Sequence, residues 1–402
     1  MIRRILPFVF LGFIALEFYV FQAVKNLSTS KTLRIGYWVF TAILYASFIG
    51  LMLAQNSSSK NNTTMGWFTS LFAIFLIPKL LVAFILLFDD LFRGAEYVFN
   101  LAKQQHATYP SRRKFMSTTA LALGGLLSYS FFDGIFWGKY RYFVRTVRLK
   151  IPGLPANFKG YKVLQISDVH SGSFSSPDKL QKAIDMINAQ NADLVLFTGD
   201  MVNSYADEFV PFVQLFSTIK SKDGKFTIMG NHDYGSYGRF NTESARAENI
   251  SKLIQLEKEA GFEMLRNEHR VISRNGEKLY IIGVENWGLP PFPQYGDLDK
   301  AAKGIPPEAA KILMSHDPTH FDEIVKHHPS NVQLTLSGHT HGMQFGLDLK
   351  NVKWSPSEYK YPKWIDLYES MGKYLYVNRG FGVIGYLGRV GIKPEITVFE
   401  LS

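Results

Sequence analysis

Five short motifs between residues 168 and 341 supply nine side chains able to bind a cation or move a proton. They are Asp168-Val-His170, Gly199-Asp200, Gly230-Asn231-His232-Asp233, His316 and Gly338-His339-Thr340-His341. Carboxylate, amide and imidazole donors in this mixture are a ligand set for divalent cations. The chain has no cysteine, so thiolate zinc, disulfides and thiol catalysis are excluded. Mixed nitrogen and oxygen ligation suits Mn, Fe or Zn better than Mg alone. A single histidine is more often structural than ligating; it is the recurrence of five clusters that carries the chemistry.

Each motif follows an apolar run: VLQIS before Asp168, DLVLFTG before Asp200, KFTIMG before Asn231, KILMS before His316 and VQLTLSG before His339. Runs of this length bounded by turn residues read as buried strands. In open α/β sheets ligands gather beyond the carboxyl ends of strands, so strand ends can bring residues 173 positions apart to one rim. Helical spacing appears between the strands at Pro177–Gln190, with Ser176 as its cap, at Phe209–Ile219 and at Ile250–Ala260. Further strand-like runs are Phe143–Ile151, Lys278–Val284, Tyr374–Asn378 and Glu395–Leu401. The periodicity implies an α/β domain with a sizeable core.

The first 139 residues are of another kind. Four stretches, about 5–24, 35–54, 65–88 and 115–138, each approach or exceed the ~20 apolar residues that cross ~30 Å of hydrocarbon. A cleaved signal peptide would account only for the first. The expected division is a transmembrane region over 1–139 and a catalytic domain over 140–402, with a polar loop at Gln55–Thr64. The net charge of +10 splits as +12 over residues 1–150 and −2 over 151–402. A duplex-binding domain carries its own basic footprint; this one does not, which argues against a nucleic-acid partner. Basic residues favour the Lys25–Arg34 and Asp89–Lys114 loops, and positive-inside logic then puts the catalytic half on the outer side of a bacterial inner membrane. Lys139, Arg141, Arg145, Arg148 and Lys150 oppose that bias. Ser111-Arg112-Arg113-Lys114-Phe115-Met116 resembles a twin-arginine export signal, or is a basic flank of the last helix. Within the spans, Glu17 and Lys79 are expected to pair across the first and third helices, because each alone is costly in lipid.

The five motifs, in this order, resemble the calcineurin-like metallophosphoesterase superfamily, in a membrane-anchored bacterial form, and the resemblance covers roughly residues 143–402. It implies a four-layer αββα sandwich behind about four transmembrane helices, and two divalent metal ions. It also implies ligand roles: Asp168, His170 and His341 at one metal, Asn231, His316 and His339 at the other, and Asp200 bridging both. His232 would protonate the leaving group with Asp233 orienting it, and Asp317 would shape its loop with Pro318. The reaction implied is hydrolysis of a phosphate ester or pyrophosphate. Membrane anchoring points to a lipid-linked or envelope substrate, such as a phosphorylated glycolipid similar to UDP-diacylglucosamine in lipid A synthesis. The alternatives are a tethered phosphatase for soluble or protein substrates, and a phospho-ligand sensor without turnover.

Departures from the family pattern bear on specificity. Met343 stands where many relatives carry a second glycine, and Glu285-Asn286 where an acidic pair is frequent. The loops Trp287–Gly296 and Trp354–Tyr368, rich in proline and aromatics, are candidates to line a groove, meet headgroups or cover a sheet edge. Arg379 and Arg389 are candidates to reach the substrate phosphate. His320, His327 and His328 are expected to face solvent.

Overall fold

The computed structural model describes residues 2–57, 62–102 and 110–402. The chain falls into two compact units, residues 1–135 and 136–402. In the first, helices α1 (Ile2–Leu27), α2 (Lys31–Ser57), α3 (Asn62–Leu71), α4 (Ile77–Ala102) and α5 (Pro110–Phe136) are joined by short connections, with a π-helical turn at Phe72–Leu76 between α3 and α4. Among the described residues, 31–54, 64–100 and 111–136 are long and apolar enough to cross a membrane. Of the loop expected at Gln55–Thr64, residues 55–57 and 62–64 are helical and residues 58–61 lie outside the described residues.

The Glu17–Lys79 pair forms. Lys79 Nζ lies 2.6 Å from Glu17 Oε1, and Tyr37, Thr41 and Tyr45 of α2 donate hydroxyls to the same carboxylate at 2.7, 3.4 and 3.0 Å. A carboxylate with one cation and three donors has its lone pairs occupied, so the charge is tolerated in an apolar bundle. At the middle of α4, buried Asp89 meets Arg112 of α5 at 3.3 Å and Arg93 at 3.2 Å. Arg112 also lies over the Phe92 ring at 4.1 Å.

The second unit holds two six-stranded sheets. The first runs β1 (Phe143–Leu149), β14 (Glu395–Leu401), β2 (Lys162–Ile166), β3 (Leu194–Phe197), β4 (Lys225–Thr227) and β5 (Glu263–Met264), parallel from β2 to β5. The second runs β12 (Asp366–Ser370), β13 (Lys373–Val377), β9 (Leu334–Ser337), β8 (Lys311–Met314), β7 (Glu277–Gly283) and β6 (Glu268–Arg274), parallel from β13 to β7. A two-stranded hairpin, β10 (Leu347–Asp348) and β11 (Lys353–Trp354), stands apart.

Alternation along each strand builds the layers. In β3, Leu194 and Leu196 enter the core between the sheets, while Val195 and Phe197 face helices α6 (Gln181–Asn188), α7 (Val213–Ser217) and α8 (Glu243–Glu259). In β7, Leu279 and Ile281 face inward, while Tyr280 and Ile282 meet the outer cluster around Phe321. Strands covered on both faces read as continuous apolar runs, which is why the motif strands were visible. The result is the expected αββα sandwich. Gln165 stitches the sheets together under the motif rim, donating to Thr198 Oγ1 and Ser337 O, both at 3.0 Å.

Candidate metal centre

All five motifs lie just past the carboxyl ends of β2, β3, β4, β8 and β9. The chain must turn sharply there, and the turns place Asp168, His170, Asp200, His339 and His341 at positive φ between 45° and 70°. Such conformations cost non-glycine residues about 1–3 kcal/mol each and persist where surrounding structure holds them. The motif glycines have a steric reason. A Cβ on Gly230 would overlap the Asp200 carboxylate, and one on Gly338 would overlap the Ser167 hydroxyl and the Asp168 carboxylate.

Two groups of candidate ligands converge. The atoms of Asp168, His170 and His341 lie within 4.8 Å of one another, as do those of Asp200, His316 and His339. In the first group His170 Nε2 and His341 Nε2 are 3.0 Å apart, and His341 Nε2 is 3.2 Å from Asp168 Oδ1. In the second, His339 Nδ1 faces Asn231 Oδ1 at 2.8 Å. Asp200 Oδ2 stands between the groups, 3.1 Å from His316 Nε2 and 3.6 Å from His170 Nε2.

This donor set fits two divalent cations. Imidazole nitrogens that approach as closely as those of His170 and His341 must share a proton or a cation. His316 places Nδ1 2.7 Å from the Thr198 carbonyl, which accepts its proton and fixes the tautomer, and turns the fully buried Nε2 toward Asp200 Oδ2 at 3.1 Å. Burial raises Asp168 and Asp200, yet facing histidines hold both below the usual carboxylate range. Burial lowers His316, but Asp200 and Asp168 outweigh it and raise this group to about 10. For His170 and His339 burial prevails and lowers the pKa, keeping a lone pair for a metal. His339 Nε2 is held by Tyr361 OH at 2.8 Å, with Asp317 Oδ2 at 3.4 Å. Asp317 thus does more than shape its turn, where Oδ1 accepts from Thr319.

His232 lines the cavity beside both groups. Its backbone N–H donates to Asp200 Oδ1 at 2.8 Å. Its Nδ1 lies 2.8 Å from the Asn203 carbonyl, an obligate acceptor, so Nδ1 carries a proton and Nε2 is the nitrogen left for chemistry. Tyr237 packs along the ring at 4.3 Å, and His170 meets it edge-on at 4.9 Å. The expectation that Asp233 orients this ring is corrected. Asp233 accepts from the amides of Asp200, Met201, Val202 and Gly230 at 2.8, 2.9, 3.3 and 2.9 Å, so it locks two motif loops through their backbones. Burial and Asp200 push it up to about 7 against the pull of those amides. Glu208 supports the ring at one remove, accepting from the amides of Asn203, Ser204 and Tyr205.

The cavity above the ligands measures about 290 Å³. Tyr237, Phe292, Met343, Tyr361 and Ile384 give it an apolar wall, and Lys360 lies beside them, 4.8 Å from the Phe292 ring. Both proline- and aromatic-rich loops therefore contribute lining residues. Glu285 accepts from Arg266 at 2.7 Å and Asn286 donates to Pro293 O at 2.8 Å, bracing the 287–296 loop. The two arginines do not reach this space. Arg379 is buried among Asp348, Asp366 and Glu395 at 3.0, 2.8 and 2.7 Å. Arg389 donates to the carbonyls of Gly380 and Gly382, holding that turn against the Asp168 backbone. His320 is also buried, stacked on Trp287 with Nδ1 2.8 Å from Ser315 Oγ, whereas His327 is exposed and His328 half-buried. Sequence reasoning named the loop that carries Lys360 and Tyr361 but passed over Asn203, Glu208 and Tyr237. Glu208 accepts from the Tyr205 amide as the acid of a capping box would, but tyrosine at the N-cap leaves no such motif in the sequence.

Comparisons with known proteins agree with this geometry. Residues 161–343 match the family described as calcineurin-like phosphoesterase, and residues 2–139 match a probable calcineurin-like phosphoesterase transmembrane domain. The metallophosphoesterase YkuE of Bacillus subtilis (strain 168) is 31% identical over 304 residues, covering 73% of this chain and 98% of that protein. The phosphodiesterase YaeI of Escherichia coli (strain K12) is 25% identical, covering 72% of this chain and 99% of its own length. A transmembrane protein with metallophosphoesterase domain from Danio rerio is 27% identical over 64% of this chain, which spans 57% of that relative.

Proposed function

The chain belongs to the calcineurin-like phosphoesterase family and is a metal-dependent phosphoric ester hydrolase with a transmembrane domain; we propose that it cleaves a lipid-linked or envelope phosphodiester or pyrophosphate. The observation that carries this reading is the cavity wall. Five apolar or aromatic side chains and one lysine surround the candidate ligands, a lining suited to an amphiphilic phosphate whose apolar part stays near the site. A phosphorylated glycolipid resembling UDP-diacylglucosamine is the narrower form of the proposal. Manganese is the first metal to test, since the donor set mixes carboxylate, amide and imidazole. We place the site on the outer side of a bacterial inner membrane, following the loop charges.

When bound, two divalent ions neutralise phosphoryl charge and acidify a water near neutral pH. Asp168, His170 and His341 would hold one ion in this reading, Asn231, His316 and His339 the other, and Asp200 would contribute to both. His232 would keep its Nδ1 proton, donated to the Asn203 carbonyl, and deliver the Nε2 proton to the departing oxygen. Lys360 offers a cation at the rim for a second charged group of the substrate.

Full-length protein loaded with manganese, in nanodiscs, should be given a lipid-borne phosphodiester and its soluble headgroup analogue at matched concentration. The reading expects a higher kcat/KM for the lipid-borne compound. Equal values would make the protein a tethered phosphatase for soluble substrates.

A further inference from the structure

The β10–β11 hairpin presents its faces in reverse of the usual order. Leu347 pairs with Trp354 and Asp348 with Lys353, and Leu349 N donates to Val352 O at 3.0 Å to close the turn. With period-two alternation across an antiparallel pair, Leu347, Leu349, Val352 and Trp354 share one face, and Asp348 and Lys353 the other. The charged face is the one anchored to the domain. Asp348 accepts from buried Arg379 at 3.0 Å, and Lys353 pairs with Asp366. The apolar face is left outward, with Leu347, Leu349 and Val352 exposed by 49%, 59% and 53%. Four residues upstream, Met343 is 58% exposed and lines the cavity.

Single exposed apolar residues are ordinary, whereas contiguous ones beside a site mark an interaction surface. Two observations identify its occupant. Six residues separate α5 from β1, so this domain is tied by a short connection to helices that cross a bilayer. Lys350 in the turn and Lys360 at the cavity rim are exposed cations, complementary to anionic headgroups. An apolar tip with flanking lysines is how an interfacial element enters the headgroup–acyl boundary. We propose that β10–β11 is a membrane-docking element whose Leu347–Leu349–Val352 face inserts into an anionic bilayer surface beside the cavity mouth. The proposal holds whichever phosphate ester is hydrolysed.

The absence of native cysteine makes single-cysteine labelling clean. Full-length Leu349→Cys, Val352→Cys and, as an exposed control on α8, Glu259→Cys would carry a nitrobenzoxadiazole label in phosphatidylcholine vesicles with and without phosphatidylglycerol. Labels at 349 and 352 should be blue-shifted, quenched by doxyl-lipid and several-fold better protected from iodide than the control, more so with phosphatidylglycerol. Turnover of a soluble diester checks that each variant is folded, since neither position lines the cavity. Full iodide access at 349 and 352 would overturn the proposal. So would protection that appears only as protein density in the vesicle rises, because a second copy would then be the cover.

Discussion

The backbone N–H of His232 donates to Asp200 Oδ1 at 2.8 Å, while Asp200 Oδ2 faces histidines of both ligand groups. In the proposed reading this one carboxylate would serve both metals while also holding the backbone of the proton donor. Asp200→Ala should lose both metals and leave no measurable turnover. His232→Ala should keep both and lose ~10²–10⁴ in rate, the usual cost of removing a general acid. Metal analysis of the two purified proteins decides this, and metal loss from the His232 variant would mean that His232 is itself a ligand.

Asp233 accepts four backbone amides, while the His232 ring turns its Nδ1 to the Asn203 carbonyl. Asp233→Asn should cost about 1–3 kcal/mol of stability, because an amide NH2 then meets buried donors. The acidic and basic limbs of the kcat profile should keep their positions. A displaced limb without a change in thermal midpoint would restore Asp233 as the partner of His232.

His316 binds its proton up to about pH 10, so at neutrality a cation must displace it. Metal uptake should release a proton, and apparent affinity should rise about tenfold per pH unit through neutrality, flattening only near pH 10. The sign follows from competition: lower pH fills Nε2 with a proton and weakens binding. Calorimetry of manganese binding in buffers of different ionisation enthalpy reads the proton count. A count of zero at pH 7 would show that His316 is already neutral there.

The contrast between Asp200 and Asp233 marks what was legible in the sequence. Strands buried on both faces leave long apolar runs, and the polar residues just beyond them were visible as a ligand rim. The partner of His232 was not, because it is the carbonyl of Asn203, and backbone atoms have no residue-type signature. Arg379 and Arg389 follow a strand and a glycine-rich turn, which looked like a phosphate cradle. Only the tertiary pairing of Arg379 with Asp348, Asp366 and Glu395 shows that its charge is already neutralised. The short β10–β11 hairpin escaped notice because its outward face is apolar, the reverse of the pattern that identifies a surface strand.

Arg112, half of the twin-arginine sequence, is held by Asp89 at 3.3 Å, Glu96 at 3.7 Å and the Phe92 ring. These contacts tie α5 to α4 and supply a reason for arginine apart from export. Arg112→Lys with Arg113→Lys should leave a reporter fused after Ser402 on its original side, whereas Arg112→Glu should lower membrane accumulation by opposing Asp89. A reporter trapped on the other side by the double lysine change would show that the export machinery reads this sequence.

Glu17 and Lys79 join α1 to α4 inside the membrane unit, and the α2 hydroxyls of Tyr37, Thr41 and Tyr45 complete the carboxylate's shell. An unpaired charge near a bilayer centre costs roughly 2.5–3.5 kcal/mol on insertion scales. Glu17→Lys should therefore place two cations together, and Lys79→Glu two carboxylates, each lowering accumulation in the membrane. Exchanging both restores the pair, and because a hydroxyl accepts as readily as it donates, Tyr37 and Tyr45 can turn to face an ammonium at position 17. Lysine is longer than glutamate, so recovery should be substantial but incomplete. Tyr37→Phe in the native background should cost less than either charge change, since Lys79 and Tyr45 still hold Glu17. Accumulation of the double exchange no better than the worse single change would show that this pair does not join the helices.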